Sequence, residues 1–319
     1  MYYGWEPVWF ARVEWGPVPL LLSIFANDVL PIFLIAAAGF ALARAARTDV
    51  RTLSKITFNA LSPCLVFDLM VTSSLGAGDF ARMAALAVVT IGGIGLVARL
   101  ATLPLRLERR LATAFLLVVM FSNSGNYGLP VVLFAFGPPA LAHATVYFVV
   151  NAVLTYTVGV LMASAGTRPV WQAVRGVARV PAVYGVLAAA LVKGAGATLP
   201  LFLMRPVEML SAAAIPAMIL VLGMQLERGQ RPARPLLVGL AAVLTLVVTP
   251  LVALAASGAL GLEGPARQAA ILQSGMPSAV LTTILALEFD VAPAFVTACV
   301  TVSTLLSPVT VTLLIASLQ

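Results

Sequence analysis

Charge is scarce in this chain of 319 residues: Asp, Glu, Lys and Arg together make up 10% of it. Soluble domains carry about 25%, so a water-facing fold is excluded at the outset. Histidine and cysteine are nearly missing too. His143 stands alone, and Cys64 and Cys299 both lie in apolar stretches, so no disulfide framework or metal-ligand spacing follows. One histidine and scattered carboxylates cannot be assembled into the acid/base set of an enzyme, and no nucleophile–base pair or phosphate-cradling loop is present. Gly76, Gly78 and the pair Gly92–Gly93 suit a loop and close packing instead. The start of the chain lacks the basic, apolar and small-residue succession of a signal peptide. No cofactor is expected.

What is plentiful is apolar surface: 61% of the residues are hydrophobic, and the mean hydropathy is +1.04. The matching solvent is lipid. A spanning helix takes roughly 20 residues, about 30 with its turn, so the chain holds on the order of ten spans and no soluble catalytic domain. Apolar runs between charges, Pro and Gly give ten: 20–44, 54–74, 80–103, 111–136, 140–165, 181–200, 205–226, 235–259, 266–287 and 292–318. Ahead of them, residues 1–19 hold Trp5, Trp9 and Trp15 beside Tyr2, Tyr3 and Phe10, which suits an aromatic segment in the headgroup layer; a frayed tail stands equally open.

The net charge of +7 belongs to the membrane, not to nucleic acid. Loops after odd-numbered spans hold Arg44, Arg47, Arg51 and Lys55, then Arg99, Arg106, Arg109 and Arg110, then Arg168, Arg175 and Arg179, then Arg228, Arg231 and Arg234; the other side holds only Arg12, Arg82, Lys193, Arg205 and Arg267. The positive-inside rule therefore predicts both termini outside the cytoplasm. The loop after span 9 departs from the pattern, carrying Glu288 and Asp290.

Pro31, Pro63 and Pro130 are spaced by 32 and 67 residues, and Pro181, Pro216 and Pro277 by 35 and 61. They fall in spans 1, 2, 4 and 6, 7, 9, as two five-helix repeats would place them, although chance coincidence is the alternative among 21 prolines. An odd number of spans per repeat makes the repeats inverted. The predicted organisation is an N-terminal segment 1–19, a first repeat 20–166, a linker 167–180 and a second repeat 181–319. Inverted repeats of this kind are frequent in secondary transporters.

Spans 4 and 9 are each interrupted by polar and helix-breaking residues. Span 4 has Ser122, Asn123, Ser124, Gly125, Asn126, Gly128 and Pro130 at its centre; span 9 has Gln273, Ser274, Gly275, Pro277 and Ser278. Unpaired backbone in hydrocarbon costs several kcal/mol per group, so such breaks must line protein or a wet cavity. If they meet at mid-membrane, half-helix N-termini and the side chains of Asn123, Ser124, Asn126, Gln273 and Ser274 form a site for an anion, with Gly125, Gly128, Pro130, Gly275, Pro277 and Ser278 shaping the break. The plainer alternative is a pair of kinks whose polar residues glue helices together.

At these residues the chain resembles the auxin efflux carrier family. The resemblance runs from Leu20 onward through VLPIFLIAAAGFALAR, LSKITFNALSPCLVF, FSNSGNYGLPVVLFAFG, AAIPAMILVLGMQL and ILQSGMPSAVLTTILALEFDVAP. It implies an all-α membrane protein of ten transmembrane helices in two inverted five-helix repeats, with helices 4 and 9 broken and crossing at mid-membrane, related to the bile acid/sodium symporter fold. It implies further that Asn123, with Gly128 and Pro130, contacts a substrate carboxylate, and that Met276-Pro277-Ser278 forms the second crossover. Asp79 and Arg82 match the acidic and basic pair near the start of helix 3 in the plant carriers. The long hydrophilic loop of those carriers is missing, which points away from auxin and towards the small carboxylates and inner membrane of bacterial members. A homodimer is compatible with the family.

Among titratable groups, Asp68 in span 2 is the clearest intramembrane carboxylate, a candidate for proton or sodium coupling with Asp79 and Arg82; a wet vestibule or a capping role for Asp68, and a plain helix-start ion pair for Asp79 and Arg82, are the alternatives. Glu208 is expected to pair with Arg205 at the outer surface. His143 sits at the outer end of span 5, where solvation explains it as readily as a pH switch. The sequence thus predicts a secondary carrier of a small organic anion. A sodium-coupled symporter of the bile acid type and a non-transporting receptor or assembly subunit are the alternatives.

Overall fold

The computed structural model describes residues 20–164, 175–227 and 229–319. The aromatic segment 1–19 and most of the linker lie outside the described residues; the linker's end, Arg175–Arg179, is a 3-10 turn. The helices, in chain order, are α1 (Leu20–Ala45), α2 (Val50–Ile56, Thr57–Leu61 and Ser62–Thr72 in succession), α3 (Ala77–Thr102), α4 (Arg109–Met120), α5 (Ser124–Ala163), α6 (Pro181–Gly194), α7 (Leu201–Leu226), α8 (Pro235–Ala259), α9 (Gly264–Ser274), α10 (Val280–Glu288) and α11 (Pro293–Leu318). Among the described residues α1, α3, α5, α7, α8 and α11 are long and apolar enough to cross a membrane, and no strand is formed. Within α5 the chain turns sharply at Gly137, whose φ of 74° a side chain would resist; two prolines follow directly.

Proline shapes several of these helices in one way. Widened turns at Phe25–Val29, Thr57–Leu61, Ser124–Gly128 and Leu244–Val248 each end two residues before a proline, at Pro31, Pro63, Pro130 and Pro250. The ring removes an amide donor and crowds the carbonyl four residues back, and the preceding turn opens to relieve it.

Helix pairs are then set by glycine. α1 packs along α7 and α2 along α6. A Cβ on Gly39 would strike the Leu220 carbonyl, one on Gly223 the Ala36 carbonyl, and one on Gly185 would come within 2.6 Å of the Pro63 carbonyl. Backbone lies on backbone, the usual way membrane helices gain dispersion energy where lipid supplies no hydrophobic drive.

Charged groups tie the helix ends. Lys193 Nζ at the end of α6 donates to the carbonyls of Met70, Ser73 and Leu75 at 3.1, 2.9 and 3.3 Å, capping the C-terminus of α2. An ammonium there satisfies carbonyls that have no helical partner and opposes the negative end of the helix. Lys193→Met is expected to cost about 1 kcal/mol, read as a lowered unfolding midpoint in detergent; an unchanged midpoint would show the cap to be idle. Arg44 meets Glu227 at 3.6 Å, linking the ends of α1 and α7. The acidic turn after α10 finds its reason in Arg110, whose guanidinium bonds Asp290 at 2.6 Å. The expected pairing of Glu208 with Arg205 is corrected: both are exposed, and they form no ion pair among the described residues. An exposed pair at that spacing gains only a few tenths of a kcal/mol, too little to order two side chains.

Asp49 caps α2, accepting from the Thr52 hydroxyl at 2.8 Å and from the amides of Arg51 and Thr52 at 3.1 and 3.2 Å. The Thr52 hydroxyl, then the Arg51 amide, holds its carboxyl below the ordinary aspartate range. The folded value is the lower one, so this stabilisation is whole above the unfolded-chain value of roughly 4 and is lost as pH falls through the folded value. Asp49→Asn is expected to flatten the acid limb of the midpoint-against-pH curve; a limb as steep as wild type would refute the cap's contribution.

Candidate functional site

The two interruptions expected from sequence lie against each other. Between α4 and α5 the chain leaves the helix at Phe121–Asn123; between α9 and α10 it is interrupted from Gly275 to Ala279. The Asn123 amide donates to the Pro277 carbonyl at 2.7 Å, and the Ala279 amide donates to the Phe121 carbonyl at 2.8 Å. Ser122 and Ser278 thereby face each other in a short antiparallel bridge. Backbone that leaves the helix in an apolar medium must find partners, and each break supplies them for the other.

Serines fasten the joint. Ser278 Oγ donates to the Val118 carbonyl at 2.7 Å, and the Ser278 amide donates to Ser303 Oγ at 3.2 Å. Ser122 Oγ donates to the Gln273 carbonyl at 3.3 Å. Ser274 turns its hydroxyl back onto the Ile271 carbonyl of its own helix at 2.7 Å.

Three buried amide side chains are left incompletely bonded at this joint. Asn123 is 6% exposed and its Nδ2 has no partner; Gln273 is 0% exposed and its Oε1 has none; Asn151 is 4% exposed and its Oδ1 has none. Gln273 Oε1 lies against Gly128, where a Cβ would collide with it. Asn126 and Gly125 are half-buried on the widened turn. Asn151 was absent from the sequence expectation. From the middle of α5 its Nδ2 donates to the Ser122 carbonyl and to Ser124 Oγ, both at 2.9 Å, clasping the break from behind. The available signal was an amide alone in an apolar run, weaker than a Gly-Pro cluster.

Two helices begin at the joint, α5 after Asn123 and α10 after Ala279, and neither is capped by a side chain. Their first amides and positive dipole ends face a region whose own side chains are neutral donors and acceptors. Neutral donors of this kind can hold an anion without burying a full countercharge.

Comparison with known proteins fits this arrangement. The profile of a family described as membrane transport protein matches residues 24–173 and 167–315, nearly the whole chain. The chain belongs to this family, that of the auxin efflux carriers. An uncharacterized transporter of Methanothermobacter thermautotrophicus is 26% identical over 279 residues, covering 83% of this chain and 88% of the relative. The chain is therefore a multi-pass membrane transporter and not an enzyme.

The candidate coupling residues sit on α2 and α3. Asp79 and Arg82 bond at 2.6 Å near the start of α3, with His143 in electrostatic reach of both. Asp68 is half-buried on α2. A more deeply buried carboxylate, passed over in the sequence, is Asp28 on the first widened turn of α1, 4% exposed.

Proposed function

We propose that the chain is a secondary carrier that moves a small organic anion, a mono- or dicarboxylate, across the inner membrane by alternating access. In this reading ten spans form two inverted five-helix repeats, α4 with the start of α5 making span 4 and α9 with α10 making span 9. Two features support the repeat. The pairings α1·α7 and α2·α6 exchange when the halves are exchanged, and so do the end ties Arg44–Glu227 and Lys193 with the carboxyl end of α2. The arginine-rich loops face the cytoplasm and both termini the other side.

The observation that carries the substrate class is the unpartnered Asn123 Nδ2 between two uncapped helix N-termini. A carboxylate accepts from all three, and the crossover lets either repeat rock without opening backbone to lipid. Asn126 and Ser124 complete one wall and Gln273 the other, with Pro130 and Pro277 holding the breaks open, while Ser274 spends its hydroxyl on the Ile271 carbonyl.

The test is flux into proteoliposomes of malate, malonate, lactate and indole-3-acetate, read both as current and as tracer uptake. Asn123→Ala is expected to abolish saturable uptake while the protein extracts in normal yield. Uptake kinetics equal to wild type would refute the assignment. A sodium-coupled reading is favoured by the two unpartnered oxygens, Asn151 Oδ1 and Gln273 Oε1, which are ligands of the type sodium takes. Uptake that requires sodium at fixed pH selects it; uptake that follows pH alone selects proton coupling through Asp68 or the Asp79–Arg82 pair.

A further inference from the structure

On the face bearing the arginine-rich loops, a cavity of about 460 Å³ lies between α4, α8 and α11, remote in sequence from the crossover residues. Arg110, Arg231 and Arg234 stand around it. Arg110 is engaged with Asp290, whereas Arg231 and Arg234 form no ion pair among the described residues. Leu111, Val238 and Phe295 give the cavity an apolar wall.

The backbone adds to the arginines. α4, α8 and α11 all begin at the rim, and their N-cap residues Glu108, Arg234 and Ala292 make no side-chain cap. Three helix starts therefore present uncompensated amides and positive dipole ends to one space, less the amides that Pro235 and Pro293 lack. Glu108 and Asp290 offset part of the arginine charge, but the guanidiniums of Arg231 and Arg234 stay available for forked bonds to an oxyanion.

Position selects the kind of oxyanion. Leu236, two residues beyond Arg234, is 91% exposed at the start of an apolar helix, so the acyl layer begins beside the arginine pair. We infer that the cavity is a binding site for the phosphate of an anionic phospholipid, its diester held by Arg231 and Arg234 and its glycerol lying on Leu111 and Phe295. The same phosphate chemistry would accept a soluble phosphate monoester. The site is independent of the transport reading, since it uses none of the crossover residues.

The purified full chain, delipidated in neutral detergent, is titrated with phosphatidylglycerol, phosphatidylcholine and glycerol 3-phosphate, with binding read by native mass spectrometry and the unfolding midpoint. Phosphatidylglycerol is expected to bind at least tenfold more tightly than phosphatidylcholine and to raise the midpoint. The double variant Arg231→Gln/Arg234→Gln loses that preference. So does Ala233→Trp, which fills the mouth of the cavity without altering charge, while Arg51→Gln/Arg106→Gln on the same face keeps it. A midpoint rise with glycerol 3-phosphate that the double variant abolishes supports the phosphate site and makes its occupant soluble. Equal binding of the two lipids with no response to glycerol 3-phosphate overturns the proposal, as does an anionic preference that survives both cavity variants.

Discussion

Gly223→Ala is expected to leave almost no folded protein after extraction. Two terms oppose each other. Alanine in a helix interior is favoured over glycine by about 1 kcal/mol, so on propensity alone the substitution stabilises α7. Against this, the new Cβ would collide with the carbonyl of Ala36 in the facing helix, with the carbonyl carbon at 2.5 Å and the Cα at 2.8 Å. The obstruction is helical backbone, so relief requires α1 and α7 to separate along their contact. Overpacking that moves only side chains costs typically 1–3 kcal/mol, and parting two backbones exceeds that, so the clash wins. Gly39→Ala meets the Leu220 carbonyl on the same seam and is expected to behave alike. Gly92→Ala is the control: nothing lies within 4 Å of its added Cβ, and the midpoint should hold or rise. The check is monodisperse yield and unfolding midpoint in detergent. A Gly223→Ala protein with the wild-type midpoint would mean that α1 and α7 do not touch backbone to backbone.

That seam marks where sequence reasoning stops. The long apolar runs located α1, α3, α7, α8 and α11 within a few residues, because lipid imposes a length and a composition that one strand of text displays. The break at Gly137 was equally visible in its Gly-Pro-Pro run. Which glycine faces which carbonyl was not, since Gly39 and Gly223 are far apart in the chain and the small-residue rule names a kind of residue without naming its partner. Lys193 shows the same limit. In the sequence it is one of five basic residues off the arginine-rich side with no partner named, and only the fold brings it to the open carbonyls of α2.

At the candidate site the balance is similar. Asn123, Gln273 and their flanking glycines and prolines stand out locally because polar and helix-breaking residues are costly in an apolar helix, whatever the fold around them. The serines divide in a way no local rule foresaw. Ser278, expected to shape the break, bonds across it to the Val118 carbonyl, while Ser274, expected at the substrate, is turned to its own helix. Asn151 makes the third member of the incompletely bonded set from farther along α5, beyond the turn at Gly137.

Gly128 and Gln273 together distinguish packing from binding at the joint. Gly128→Ala alone places a Cβ against Gln273 Oε1, 2.9 Å from its Cδ and 3.1 Å from Met276 Cγ, in a region where every neighbour is buried. Gln273 is held at its far end by a 3.4 Å bond from Nε2 to the Ala144 carbonyl, so it is the group that must yield, and in yielding it gives up that bond. The expected result is transport reduced at least tenfold and a midpoint lowered by overpacking of about 1–3 kcal/mol. Shortening the opposing side chain in Gly128→Ala/Gln273→Ala removes the collision and should restore the midpoint, a coupling that separate sites would not show. Transport then decides the role of Gln273. If the glutamine only fills the joint, uptake returns with stability. If its amide meets the substrate, the double variant folds and remains inactive, and Gln273→Ala alone is inactive to the same extent because the crossover still closes but lacks one of its walls.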